Sequence, residues 1–268
     1  MSDEEELHGR VLLCYAVDGL FVSEHAPPVE APTVVLVHGS LDRSAAFVRV
    51  QRHLNDLRVL RYDRRGYGRS LHTGPAPSFD VQVEDLATVV GDRPSVIVGH
   101  SLGGVIALAF AERQPDVALA VVAYEAPMAW MSWWPTATAG SAAMAADSDA
   151  ADAAERFMRR MVGDERWERM PPRTRDQRRA EGPALVAELR SIRDGAMPPY
   201  TPERVSVPVV AAHGSESSGH HRQTAVALAD AVPNGELVVV DGASHGVHLT
   251  HPAALAMLAR RALELARA

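Results

Sequence analysis

Short runs of β-branched and aliphatic residues alternate along this chain with longer stretches whose apolar positions recur every three or four residues. The first pattern marks strands covered on both faces and the second amphipathic helices. Their alternation predicts strand–helix–strand units around a mostly parallel sheet, an α/β fold. An opening pair of strands falls at 10–17 and 19–24, and buried-type strands follow at 33–37, 57–62, 95–99, 118–124, 207–212 and 236–240, eight in all. Helical patterns lie near 43–54, 79–90, 102–113, 221–231 and 253–267.

One interval breaks the rhythm, because roughly 80 residues separate the strand ending at 124 from the one starting at 207, far more than a compact domain leaves structureless. Its Ala, Arg and Glu content favours helix, so the expected organisation is a first core segment at 1–126, a helical cap at 127–200 and a second core segment at 201–268. Between 147 and 195 the 11 Arg are balanced by 11 Asp and Glu, which reads as solvated helix faces laced with ion pairs rather than an anion-binding patch. All four tryptophans, Trp130, Trp133, Trp134 and Trp167, fall in this insertion. Two readings stay open for them: Trp130, Trp133 and Trp134 line a pocket for an apolar ligand, or they pack the insertion onto the core.

Charge and composition narrow the function classes. A net charge of −7, with every one of the 27 basic residues an Arg, disfavours a nucleic-acid partner, which needs a basic face. The single cysteine, Cys14, excludes an internal disulfide and, lying in an apolar run, is expected to be a buried inert thiol. The acidic opening Met1–Glu6 lacks the basic-then-apolar order of a secretory leader, and a cytoplasmic location is expected. The uncharged stretches 94–111 and 126–146 are interrupted by Gly, Pro, Ser and Thr, so no membrane span is expected.

Candidate chemistry concentrates in residues 95–113, SVIVGHSLGGVIALAFAER, where an apolar strand runs through Gly-His-Ser-Leu-Gly into a helix. A sharp turn there would lift the Ser101 hydroxyl clear of the sheet and leave the Leu102 amide at a helix N-terminus, with Gly99 and Gly103 letting the backbone close tightly. Ser101 is the expected nucleophile.

With VVLVHGS at 34–40, DRRGYGRS at 63–70, GHSLGG at 99–104 and GASHGVHLTHP at 242–252, the sequence resembles the α/β-hydrolase superfamily over nearly its whole length. The resemblance implies an eight-stranded, mostly parallel sheet flanked by helices, with a cap after the sixth strand. It implies an oxyanion hole made by the backbone amides of Ser40 and Leu102, and a base at His245. His38 is then a structural histidine beneath the site, and Asp63, Arg64, Arg65 and Gly66 shape a turn near it. The extra histidines His220, His221, His248 and His251 read as turn or surface residues, since no His-Glu-x-x-His or comparable pattern accompanies them and no metal is expected.

The acid departs from the common pattern. Three residues after Gly214, where many members carry Asp, stands Ser217. Glu125, ending the sixth strand in VVAYEAP, is the preferred replacement, because strand ends on that edge open onto the crevice. Certain dehalogenases and bacterial hydrolases with a similar Tyr-Glu-Pro-Pro segment carry the acid there. Glu216 is the alternative.

The resulting expectation is a serine esterase or lipase-like hydrolase of small or medium apolar carboxylic esters, working through an acyl-enzyme without a cofactor. Lactonase, thioesterase, carbon–carbon hydrolase and cofactor-free perhydrolase chemistry would reuse the same residues. A catalytically weak ligand-binding or accessory protein is the reading from another class, and the oligomeric state is left open.

Overall fold

In the computed structural model, which describes residues 11–27, 29–145 and 149–268, eight strands form a single sheet. They are β1 (Val11–Val17), β2 (Leu20–Ala26), β3 (Thr33–Val37), β4 (Arg58–Tyr62), β5 (Ser95–His100), β6 (Ala118–Tyr124), β7 (Val209–Gly214) and β8 (Gly235–Val240), in the order β1-β2-β4-β3-β5-β6-β7-β8. The β1–β2 and β2–β4 pairings are antiparallel and all the others parallel. The acidic opening, the first residue of the expected 10–17 strand, and 146–148 within the insertion lie outside the described residues.

The helices are α1 (Val48–Arg52), α2 (Phe79–Val90), α3 (Leu102–Arg113), α4 (Ala139–Ala143), α5 (Ala150–Val162), α6 (Asp164–Arg169), α7 (Pro172–Ala180), α8 (Gly182–Arg193), α9 (Gly219–Ala231), α10 (Val247–Thr250) and α11 (Pro252–Leu265). Strand alternation sorts the core into two layers. Val35, Val37 and Ile97 face α2 and α3, while Val34, Leu36, Val96 and Val98 face α1 and α11. Central strands buried on both faces therefore read as continuous apolar runs, as the sequence predicts.

The sheet edges differ from expectation. β8 reads as a buried strand, yet Leu237 and Val239 are exposed. Cys14, on β1, is exposed rather than buried. Both strands are sheet edges, and edge residues can be apolar without a covering layer.

Helices α4 to α8 make up the insertion after β6. Ala143, Ala153, Ala154, Ala184 and Leu185 form their own small core with Leu41 and Tyr67, and Trp167 is fully buried. The mixed charges pair as expected, with Arg159 joined to Glu155, Asp164 and Glu168, and Arg179 to Asp152 and Glu155. A deeper tie is the buried pair Arg64–Glu188 at 3.0 Å, which joins the loop after β4 to α8. Among the described residues no helix is long and apolar enough to cross a membrane.

Candidate active site

The parallel strands deliver their C-terminal ends to one edge of the sheet, and the expected functional residues gather there. At the tip of β5 the chain turns directly into α3, and Ser101 at the junction adopts φ +54°, ψ −127°, a left-handed backbone that costs a non-glycine residue on the order of 1 kcal/mol or more. The close approach that enforces this turn is visible at the glycines. A Cβ on Gly99 would lie 2.3 Å from the Gly103 carbonyl oxygen, and one on Gly103 would lie 2.2 Å from that of Val37. Leu102 is the first residue of α3, where the helix itself supplies no carbonyl for its amide.

Ser40 follows β3 in a loop held from beneath. Arg64 donates from Nε to the His38 carbonyl at 2.9 Å and from Nη2 to the Gly39 carbonyl at 3.0 Å. The His38 ring is buried, with Nδ1 donating to the Gly39 carbonyl at 2.8 Å and Nε2 accepting from the Arg64 amide at 2.9 Å. Burial, reinforced by the neighbouring Arg64 charge, lowers its pKa to about 3, so it is a neutral structural imidazole. Asp63 completes the turn, accepting from the Ser44 and Arg69 amides at 2.7 and 2.8 Å. Arg65 pairs instead with Asp85.

Glu125 leaves the tip of β6 at φ +49° with its side chain fully buried. Its Oε2 accepts from His245 Nδ1 at 2.6 Å, and His221 Nδ1 lies 3.1 Å from the same oxygen. Its Oε1 accepts from the Gly214 amide at 3.1 Å and from the Ser217 hydroxyl. Burial alone would raise the carboxyl's pKa, but the two imidazoles outweigh it and hold it below the usual carboxylate range. Burial pushes His245 below its ordinary value against the opposing pull of Glu125, leaving a neutral imidazole at neutral pH whose Nδ1 carries the proton and whose Nε2 is free to accept one. Glu216 is exposed, and its amide bonds the Ala243 carbonyl.

Three side chains come into the site that spacing did not reveal. Ser217, in the slot where many relatives carry the acid, bonds Glu125 instead. His221, expected at the surface, lies parallel to His245 at 4.4 Å between ring centroids and shares its carboxylate. His248, also expected at a turn or surface, is buried beside His100 and Asp42. The only sequence signal for them is position, since each follows a strand tip on the same edge. His251 sits half-buried at the turn before α11, its Nδ1 2.9 Å from the Thr250 hydroxyl.

The expected tryptophans divide. Trp134 approaches the histidine pair beside His245, edge-on to His220 at 4.9 Å and 6.3 Å from His221. Trp133 neighbours Trp134, whereas Trp130 packs edge-on against Tyr200 and the core.

A model of the alpha/beta hydrolase family matches residues 34–258. The lipase LipV of Mycobacterium tuberculosis is 34% identical over 106 residues, a stretch covering 38% of this chain and 40% of that protein. A pimeloyl-[acyl-carrier protein] methyl ester esterase of Chromobacterium violaceum is 29% identical over 242 residues, covering 83% of this chain and 90% of its own. Among solved structures, a bacterial membrane phospholipase A superposes with a TM-score of 0.71 at 17% identity, covering 97% of this chain and 87% of its own, a likeness of fold.

Proposed function

The chain belongs to the alpha/beta hydrolase family, and on that premise we propose that it is a serine hydrolase of carboxylic esters with Ser101 as nucleophile, His245 as base and Glu125 as acid. The observation that carries this reading is the 2.6 Å bond from His245 Nδ1 to a buried, ionised Glu125, on the sheet edge where Ser101 sits on a strained strand-to-helix turn with its amide bonded to the Tyr124 carbonyl. Such a carboxylate fixes the tautomer in which Nε2 takes the serine proton, and it stabilises the imidazolium that then forms.

In the proposed reaction Ser101 Oγ attacks the ester carbonyl while its proton passes to His245 Nε2. The negative oxygen of the tetrahedral intermediate is received by the Ser40 and Leu102 amides, each such donor contributing roughly 3–4 kcal/mol to the transition state. His245 returns the proton to the departing alkoxide, and water, activated by the same imidazole, releases the acid and restores Ser101. Trp134, with Trp133 beside it, sets an apolar wall of the insertion against the His220–His221 pair next to His245, which suits an apolar acyl group. The lipase and esterase relatives act on substrates of this class by their names.

Hydrolysis of p-nitrophenyl esters of increasing acyl length, with wild type beside Ser101→Ala, tests the reading. Serine-dependent release with a chain-length optimum is expected, together with labelling of Ser101 by a fluorophosphonate. Absence of both would overturn it.

A further inference from the structure

Behind the proposed triad lies a second cluster that the reaction does not use. His100, immediately before Ser101, His248 on α10 and Asp42, two residues after Ser40, bring one ligand-type atom each to within 4.8 Å of one another. The two imidazoles are 5% and 3% exposed, with ring centroids 4.4 Å apart, while the Asp42 side chain keeps 18% of its surface open and provides a way in.

The hydrogen bonding at this cluster is incomplete in a specific way. His100 donates from Nε2 to the His245 carbonyl at 2.7 Å, which leaves Nδ1 as a bare lone pair, and that atom has no partner. Neither nitrogen of His248 has a hydrogen-bond partner either. His248 Nε2 lies 3.1 Å from Asp42 Oδ2, yet the two are not aligned as donor and acceptor. Buried imidazole nitrogens without partners cost about 1–3 kcal/mol each, and the two that one ion can engage together, His100 Nδ1 and one nitrogen of His248, call for a common cause.

Two ligands of one cation have this relationship. With bond lengths near 2.1 Å, neighbouring ligand atoms stand about 3.0–3.4 Å apart and point at the ion rather than at each other. The second ring nitrogen of a metal-bound histidine characteristically donates to a backbone carbonyl, as His100 Nε2 does. We propose that Asp42, His100 and His248 form a site for a first-row divalent cation such as Zn²⁺, bound through one carboxylate oxygen and two imidazole nitrogens.

The site is structural in its consequence. Its three ligands come from the Ser40 loop, the turn that carries Ser101 and the segment after His245, so one ion would pin together the three backbone pieces the proposed reaction must hold in register. Glu125, His221 and His245 form a second two-imidazole, one-carboxylate cluster, but there Oε2 already accepts from His245 Nδ1 and the Ser218 hydroxyl partners His221 Nδ1.

Titration of the chelator-treated protein with Co²⁺ tests the proposal without recourse to activity. Wild type is expected to bind one equivalent with a visible ligand-field spectrum, to yield it to Zn²⁺, and to melt several degrees higher when Zn²⁺ is present. Asp42→Asn and His248→Asn should weaken binding by more than about 100-fold, beyond the loss of an outer partner, and His221→Asn should leave it unchanged. X-ray absorption of Zn²⁺-loaded wild type, which depends on no variant folding, should show two imidazoles with oxygen ligands. No saturable binding at micromolar Co²⁺ would overturn the proposal, as would binding indifferent to Asp42→Asn and His248→Asn, binding lost in His221→Asn, or an oxygen-only shell.

Discussion

Replacing Glu125 by Gln is nearly isosteric, and its outcome can be worked from the four groups around the side chain. Oε1 faces the Gly214 amide and the Ser217 hydroxyl, and Oε2 faces two imidazole Nδ1 atoms. The amide of a glutamine has one oxygen to give. The Gly214 N–H cannot change its role, and leaving it against an NH₂ group would cost about 1–3 kcal/mol. An imidazole can move its proton to the other nitrogen at small cost. The glutamine oxygen therefore stays on Gly214 and the NH₂ turns to the histidines, converting both to the tautomer with a bare Nδ1. His245 then carries its proton on Nε2 and cannot take one from Ser101. Loss of the acid's tautomer control in a serine triad lowers kcat by about 10⁴-fold, or about 5.5 kcal/mol in the barrier. The fold, with its hydrogen bonds repaired, should melt within a few degrees of wild type. The assay is steady-state hydrolysis of the best p-nitrophenyl ester beside a thermal melt, with Glu216→Gln as the parallel variant. Retention of activity within tenfold in Glu125→Gln, or an equal collapse in Glu216→Gln, would refute the reasoning.

Two further outcomes follow from buried charge. Arg64→Met should destabilise the protein by about 3–5 kcal/mol in urea denaturation, because it strands the Glu188 carboxylate, whereas Arg64→Met with Glu188→Met should recover the part due to that charge and not the part due to the lost bonds to the His38 and Gly39 carbonyls; equal destabilisation of both variants would contradict it. Acid should weaken the fold well before carboxylates titrate. Unfolded histidines take up protons below about 6.5, but His38, with its pKa lowered to about 3, and His100 do not while folded. The unfolded state thus binds more protons, so stability is full above that point and each histidine removes about 1.4 kcal/mol per pH unit as pH falls toward its folded value. Urea midpoints that stay flat from pH 6.5 to 5 would count against the buried neutral imidazoles.

What was legible in the sequence follows the strength of the local pattern. The strands at 33–37 and 118–124 and the helices at 79–90 and 102–113 fall where periodicity places them, since each has its apolar face or faces fully covered. Cys14 and β8 were misread because a strand's own residues do not say whether it lies inside a sheet or at its edge. The elbow was readable because its glycines, serine and helix are contiguous. Asp42, His100 and His248 were not, because their neighbourhood is made by the loop after β3, the tip of β5 and α10, far apart in the chain, and no spacing rule spans them. His221 was hidden for the same reason: nothing near it in sequence indicates that its ring meets Glu125.

The departure at position 217 has a physical resolution in the sheet itself. β6 and β7 are parallel neighbours, with Tyr124 opposite Ala212, so their tips open onto the same point in the crevice. An acid can reach the base from either tip. In this chain the Glu125 amide bonds the Ala212 carbonyl at 2.9 Å, and the backbone turns to φ +49°, which sends the side chain across toward the end of β7. Ser217 keeps the place where the common pattern has its carboxylate, but as a donor: its hydroxyl, with the Gly214 amide, fixes Oε1 and so aims Oε2 at His245. Aspartate at 217 beside Glu125 would set two carboxylates against each other in a buried space, which would raise the pKa of one of them. The serine is therefore a physical counterpart of the glutamate rather than a gap, and two strained non-glycine residues at the tips of β5 and β6, Ser101 and Glu125, mark the ends of the proposed proton path.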